Sequence, residues 1–494
     1  MKSSRIGVVA ALIVGMALII SGCTTPPADA KTLTVGITVE PTTLDLTTDS
    51  TAAIPQILLY NVYETLVKMD SQGRIKPLLA DSYDVSPDWL TYTFHLDTKA
   101  KFASGAPVNA DAVVASINTM REAPNQTLKS QMAVVADVQA RDQATVAVTL
   151  KEPSNFWLYS MTDTVGIIFD PALTDLATAP MGSGPYAFES WVSGDSITLT
   201  KNESYWGTPG RFDEVVFRFI ADPNAMVSAM LSGDLDIAGE MTSPDSLELF
   251  SDASKYTVIE GTTNGEIVLG FNNSRETLKD LAVRQAICHA IDRQALVDAV
   301  WAGKGQLIGS MAVPTDPYYE DLSATYPYDP AKAKELLEEA GVTNLSLDLR
   351  IPTLPYTPGA ATFIASQLAD VGITVKVEEL DFGRWIDEVY SNGDYDMTIV
   401  AHVEARDIVN FANPDYYWRY DNPEFQKQLA SAIAASPDQF VPEMKKAATI
   451  LAEDAAADWL FVFPNLIVTR EGINGVGENM TSLSFDVTTI SSKD

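Results

Sequence analysis

Residues 346–400 read SLDLRIPTLPYTPGAATFIASQLADVGITVKVEELDFGRWIDEVYSNGDYDMTIV, and their rhythm decides the fold class. Residues 346–350 (SLDLR), 374–377 (TVKV) and 397–400 (MTIV) read as strands, and helical stretches separate them. Strands alternating with helices describe an α/β lobe. Upstream, Asp329-Pro330 supplies a cap and a first-turn proline for a helix over 331–340 that stops at Gly341. Lys334 and Glu338 stand one turn apart on its outer face, a pair worth about a few tenths of a kcal/mol. Residues 278–303 form two consecutive helical segments; Asp292 can cap the second, and Gly303 suits its C-terminal stop. Downstream, 460–468 (LFVFPNLIV) is apolar enough for a buried strand or a crossover between lobes.

The first half carries the same mixture. Residues 33–39 (LTVGITV) alternate like a strand, as do 91–96 (TYTFHL) after a polar turn at Ser86-Pro87-Asp88. Asn109 can cap a helix running from Ala110 toward Met120, with Val113, Val114 and Ile117 on one face. Residues 196–200 (SITLT) and 214–220 (EVVFRFI) read as strands around the turn-rich 202–210 (NESYWGTPG).

The N-terminus reads as an address. Lys2 and Arg5 precede an uncharged run over 7–20 (GVVAALIVGMALII). A spanning helix needs roughly 20 apolar residues, so this shorter run reads as the core of a secretory signal. It ends in Ile20-Ser21-Gly22-Cys23, which resembles the lipobox of bacterial lipoproteins, where the cysteine is acylated and becomes the new N-terminus. An ordinary secretory signal with an incidental Cys23 is the alternative. Residues 24–31 (TTPPADAK) cannot pack and suit a spacer. Roughly 470 residues then remain, enough for two or three domains and a large core.

The cysteines are Cys23 and Cys288. If Cys23 carries lipid, no internal disulfide forms, and Cys288 in the apolar helix VRQAICHAI reads as an inert buried thiol. The chain has 66 acidic and 33 basic residues, a net charge of −33. Such a surface repels phosphate backbones and anionic head groups, which argues against nucleic acid and electrostatic membrane docking. The histidines, His95, His289 and His402, lack metal-ligand spacing. Neither a Ser-His-Asp order nor a G-x-S-x-G elbow occurs, so a hydrolase is poorly supported. Gly182-Ser183-Gly184-Pro185 suits a turn, and a phosphate loop would want more glycines and a lysine.

Several segments carry a resemblance when taken in order. They are Tyr63-Glu64-Thr65-Leu66-Val67 with Gly73, Pro77, Leu79-Ala80 and Asp81; Tyr92-Thr93-Phe94 through Lys101-Phe102, Gly105, Pro107 and Ala110-Asp111; and Gly182 to Tyr186 with Tyr205-Trp206. Gly233-Asp234-Leu235-Asp236, Phe271-Asn272-Asn273, Val283-Arg284, Ala290-Ile291-Asp292-Arg293 and Tyr328-Asp329-Pro330 follow. Together they resemble the extracytoplasmic solute-binding proteins of peptide-type ABC importers, family 5, over nearly the whole chain after the signal. The resemblance implies an α/β, two-lobed, periplasmic-binding-protein-like clamp (class II) with an extra subdomain on lobe one. The expected division is 1–22 lipoprotein signal, 23–31 lipid-anchored spacer, 32–266 lobe one with a subdomain inserted over about 50–180, 267–464 lobe two, and 465–494 returning to lobe one. The chain would cross between lobes near 265–272 and again near 461–468.

The resemblance also locates the ligand. Peptide-binding members hold the ligand α-ammonium with a lobe-two aspartate after a Tyr-Asp strand, usually flanked by Gly-Trp and Asp-Pro. Here Tyr395-Asp396 is followed by 401–411 (AHVEARDIVNF), with His402 in place of the tryptophan and no Asp-Pro. Asp407 is the first choice for the anchor and Glu404 the second; an ion network of Glu404, Arg406 and Asp407 on the lobe surface is the structural alternative. Tyr416, Tyr417, Trp418 and Tyr420 can wall a pocket or pack the lobe. Glu40, in the segment VEPTTLD after the first strand, marks backbone that could pair with an extended peptide, and Tyr356 in IPTLPYTPG is a further candidate.

The implied function is capture of short peptides for a membrane permease, with permease and ATPase on separate chains. Another solute, an oligosaccharide, a glycoside or a nickel chelate held through His402, is the alternative. No enzymatic step, cofactor or resident metal is expected. The protein would be an extracytoplasmic monomer, tethered by lipid at Cys23 alone.

Overall fold

Two long strands, Tyr256–Phe271 and Ala457–Arg470, organise the computed structural model, which describes residues 31–49, 51–173 and 175–493. The expected signal, Cys23 and the spacer up to residue 30 lie outside the described residues. The two strands pair antiparallel from Tyr256 opposite Arg470 to Gly270 opposite Ala457, with the register broken between Thr262 and Glu266. On either side of that break the strands belong to different cores. Leu466 and Val468 pack with Met226, Met230 and Phe250, whereas Ile267, Leu269 and Phe271 pack with the helices Leu281–Ala290 and Arg293–Trp301. The chain therefore forms two lobes, and both crossings run through this one antiparallel pair.

The pair sits at the centre of a ten-stranded sheet. On the lobe-two side lie Met397–His402, Ser346–Pro352 and Thr374–Leu380; on the lobe-one side lie Ile237–Ala238, Thr32–Ile37, Glu214–Phe219, Ser196–Lys201 and Tyr186–Val192. Every strand read from the sequence is present, and those over 374–380 and 397–402 run longer than expected. Of their extra residues Leu380 and His402 are buried while Glu378 and Glu379 are exposed, so no clean alternation marks where these strands end. The caps also hold: Asn109, Asp292 and Asp329 each accept a backbone N–H of the first turn. Two details differ. The stop after Trp301 uses Ala302 at φ 50° as well as Gly303 at φ 73°, and the ion pair on the helix Pro330–Glu339 is Lys332–Glu335 rather than Lys334–Glu338.

A four-stranded sheet, Ala80–Val85, Thr91–Leu96, Thr145–Leu150 and Val135–Ala140, forms the insertion on lobe one with the helix Ala110–Arg121. Its core is continuous with that of the lobe: Phe94, Phe102 and Val113 join the same buried cluster as Leu33, Val35 and Phe217. The C-terminal segment returns to that cluster through Val487 and Ile490, and Asn61 fixes it by donating to the Phe485 carbonyl and accepting from the Val487 N–H.

Glu64 explains a spacing that the sequence left unexplained. Its carboxylate, 1% exposed, accepts from the Tyr205 hydroxyl at 2.6 Å and the Trp206 indole N–H at 3.0 Å. Burial pushes its carboxyl from 4.5 up to about 7, against the two hydrogen bonds that favour the ionised form. The folded chain thus holds a proton that the unfolded chain releases near pH 4.5, and stability falls as pH rises through that window. In chemical unfolding, Glu64→Gln should gain about 3 kcal/mol relative to the parent between about pH 4.5 and 8, since only the parent must ionise a buried carboxyl. A difference that does not change with pH would remove Glu64 as the titrating group.

Candidate functional site

Glu266 lies directly opposite His402 in the antiparallel pairing of Tyr256–Phe271 with Met397–His402. Opposed residues project from the same face of a sheet, so the two side chains stand together. Val268 and Val400 continue that face into one core of lobe two, while Ile267 and Ile399 point to the other. The face thus changes from apolar to polar where lobe two meets lobe one.

His402 is locked from two sides. Its Nδ1 lies 3.1 Å from an Asp407 carboxylate oxygen and its Nε2 2.8 Å from the Tyr417 hydroxyl. Donation from Nδ1–H to an ionised Asp407 leaves Nε2 to accept from Tyr417. The ring stacks on Tyr417 at 8° between planes and abuts Trp418 at 4.7 Å. Trp418 itself stacks on Phe411 at 3.9 Å, and a Cβ at Gly270 would stand 2.8 Å from its indole nitrogen, so the wall needs glycine there.

Arg406, in the left-handed region at φ 65°, turns the chain between strand and Asp407. Burial raises the Asp407 carboxyl to about 6, opposed by its contact with His402 and reinforced by the Glu404 charge. His402, Glu404 and Asp407 offer donor atoms within 4.8 Å of one another, the spacing a metal ion would need. Both imidazole nitrogens are already engaged, so a metal would have to displace Asp407 or the Tyr417 hydroxyl.

Lobe one closes the site through the same arginine. The Arg406 guanidinium lies 3.7 Å over the Tyr159 ring and 5.0 Å from that of Phe156, and donates to the Asn155 carbonyl at 3.3 Å. The Asn155 side chain reaches back to lobe two, donating to the carbonyls of Ile433 and Ala435. Gly73 meets the Thr315 carbonyl so closely that a Cβ would lie 2.4 Å from it. Asp316 sits beside Arg406 and accepts from the Val313 N–H; it keeps some surface, yet its surroundings exclude enough water to raise its carboxyl. Glu266 is 2% exposed, and its Oε2 has no hydrogen-bond partner among the described residues. Burial, with repulsion from Asp407, Asp316 and Glu404, pushes it well above the usual carboxylate range. Four carboxylates therefore share this chamber with the Arg406 guanidinium.

Two open cavities flank the crossing strands. One of about 460 Å³ lies on the lobe-one side between Tyr60, Lys68, Glu240, Asn465 and Thr481; another of about 510 Å³ lies between Glu260, Lys304, Thr315 and Pro464. Neither is lined by His402, whose ring is covered by Tyr416, Tyr417 and Trp418.

The structure brings His402, Glu404, Arg406, Asp407, Tyr417 and Trp418 together. It places the other two candidates elsewhere. Tyr356 accepts from the Ala401 N–H and packs its ring on Phe463 at 5.0 Å, among the core residues behind the sheet, because Ala401 faces away from His402. Glu40 turns into lobe one, accepting from the Trp191 indole and the Gly194 N–H, which holds its carboxyl low. Sequence reasoning missed Glu266, Asp316 and Tyr159. A carboxylate heading the buried run 266–271 (EIVLGF) was the available signal for the first.

Residues 74–427 match the family model described as bacterial extracellular solute-binding proteins, family 5 Middle. A Brucella ovis protein, whose name describes a peptide-binding component of an ABC transporter, is 31% identical over 353 residues, covering 68% of this chain and 66% of that protein. The match thus spans slightly less than two thirds of that relative's length. The glutathione-binding protein GsiB of Salmonella choleraesuis is 28% identical over 382 residues, 74% of this chain and 73% of its own. The periplasmic binding protein DppA of Helicobacter pylori, solved with the peptide STSA, shares the fold at a TM-score of 0.78 and 22% identity, covering 94% of this chain and 98% of that one. It is the two-lobed clamp expected from the sequence.

Stacking of Arg406 on Tyr159 should stabilise closure by about 1–2 kcal/mol. Arg406→Ala should then lower the closed-to-open ratio about 5- to 30-fold and enlarge the radius of gyration in small-angle X-ray scattering. Superimposable scattering from parent and variant would exclude Arg406 from closure.

Proposed function

The chain belongs to the bacterial extracellular solute-binding proteins of family 5, and from that premise we propose that it captures short peptides between its lobes and delivers them to an ABC permease. The observation that carries this reading is the chamber at the junction of the lobes, where buried Asp407 is backed by His402 and walled by aromatic rings. A carboxylate of this kind suits a ligand α-ammonium, because the desolvated charge gains most from an ionic partner. The peptide-binding name of the Brucella ovis relative, the glutathione-binding name of GsiB and the peptide held by DppA support the same class of ligand.

The remaining parts follow from the same reading. The permease and ATPase are separate chains, the protein acts as a monomer without turnover, and ligand adds contacts from both lobes so that closure follows occupancy. No helix among the described residues is long and apolar enough to cross a membrane. We assign tethering to Cys23, whose diacylglycerol would supply the two acyl chains that stable anchoring needs. A nickel chelate is the second reading, favoured by the donor spacing at His402, Glu404 and Asp407.

A thermal-shift screen with dipeptides, oligopeptides, oligosaccharides and nickel–histidine separates these readings. A peptide at about 100 times its Kd should add roughly 2.7 kcal/mol of stability. A shift with a sugar or the nickel chelate, and none with peptides, would overturn the peptide assignment. Asp407→Ala should weaken peptide binding by about 3–5 kcal/mol, whereas exposed Glu404→Ala should cost far less; equal, negligible losses would refute the anchor. Cys23→Ser should release the protein from membranes or block its maturation while leaving peptide affinity unchanged. Continued membrane retention of the serine variant would exclude the lipid tether.

A further inference from the structure

One feature of the chamber exceeds what a single α-ammonium requires. Glu266 is buried at the start of the apolar run 266–271, shares a face with His402, and has no hydrogen-bond partner for Oε2 among the described residues. A buried carboxylate left in this state costs several kcal/mol if ionised, and a chain gains nothing in stability by keeping it. The groups that face it are acidic or neutral: Asp407 and Glu404 from the turn after the strand, Asp316 and Tyr318 from the segment 313–319, and His402 opposite. The nearby Arg406 lies over the aromatic rings of Tyr159 and Phe156 and donates to the Asn155 carbonyl, turned toward lobe one.

We propose that the chamber recognises a ligand with two cationic groups, one ammonium at Asp407 and Glu404 and a second ammonium or guanidinium at Glu266. This rests on the capture of ligand between the lobes and names its class: a peptide whose first residues include lysine or arginine. The first cation answers the anchor and its exposed neighbour. Within the chamber, Glu266 is then a buried carboxylate that still lacks a counter-charge, and a second cation gives it one. Without ligand, Glu266 holds a proton, because burial and three neighbouring carboxylates oppose its ionisation. Binding of the dication exchanges that proton for the ligand charge: the carboxylic acid loses H⁺ to solvent and the carboxylate accepts an N–H⁺ hydrogen bond. Affinity for the dication should therefore rise with pH, by up to about tenfold per unit for each proton released, until Glu266 ionises unaided.

Lys-Ala and norleucyl-Ala, which differ in one terminal charge, test this by isothermal titration calorimetry. Lys-Ala should bind about 10- to 100-fold more tightly at pH 7.5, the effect of one charge-assisted hydrogen bond to a buried carboxylate. Its heat in buffers of different ionisation enthalpy should report proton release, and its advantage should shrink toward pH 5. Glu266→Gln should bring the affinity ratio of the two dipeptides close to one, and the ligand-free variant should melt at a higher temperature than the parent, which separates loss of recognition from loss of fold. Equal affinities of Lys-Ala and norleucyl-Ala for the parent would overturn the two-cation inference and leave peptide capture standing. Failure of both to bind would overturn both.

Discussion

The antiparallel pairing of Tyr256–Phe271 with Ala457–Arg470 is the constraint on which the molecule depends. It carries the chain out to lobe two and back, joins the two halves of a ten-stranded sheet, and places its register break where the cores change. An unbroken ladder would resist bending, because each paired residue is held by its neighbours. The interruption between Thr262 and Glu266 removes that support over a few residues and concentrates the bend at the lobe boundary. The same register decides which side chains see the cleft. Moving the pairing of Tyr256–Phe271 with Met397–His402 by one residue would put Glu266 and His402 on opposite faces of the sheet, one of them in the apolar core behind it.

Much of this was legible in the sequence because it rests on local signals. Caps at Asn109, Asp292 and Asp329 depend on a side chain and a backbone group within three residues of each other, and they formed as expected. The strands over 33–37 and 397–400 announce themselves through composition. Partnerships made across the chain were not legible. Nothing near Glu64 in sequence specifies that Tyr205 and Trp206 hold it, since the pairing spans more than a hundred residues. The resemblance implies a subdomain inserted over about 50–180, yet the apolar residues of its sheet join the core of lobe one.

The site divides along the same line. His402, Glu404, Arg406 and Asp407 are neighbours in sequence, so a single turn brings them together once its position is found. Glu266, Asp316 and Tyr159 join them only because the sheet pairs Glu266 with His402 and because lobe one folds over the cleft. Tyr356 was an error of direction: its loop adjoins the cleft in sequence order, but its hydroxyl bonds the backbone of Ala401, whose side faces the other way. The general acidity of the chain played no part in any of these assignments. Surface carboxylates such as Asp88 and Asp142 are fully solvated with lowered pKa, whereas Glu266, Asp316 and Asp407 in the chamber are raised, so the two populations answer to different physics.

Arg406 ties closure to charge. It lies in lobe two by sequence, but its guanidinium rests on Tyr159 and donates to Asn155 of lobe one, and it also neighbours Asp316. When the lobes part, Arg406 loses the aromatic rings and regains water, while Glu266 and Asp316 gain water as well and lose the burial that raises their carboxyls. On the two-cation proposal, opening would expose a more negative chamber to an approaching cation, and closing around that cation would restore the dry surroundings in which the ion pairs are strongest. A ligand without positive charge would give Glu266 no counter-ion on closure, and it would have to recover its proton. On that proposal, discrimination between ligands would be built into the closing step itself, through an arginine whose position reports whether the lobes are together.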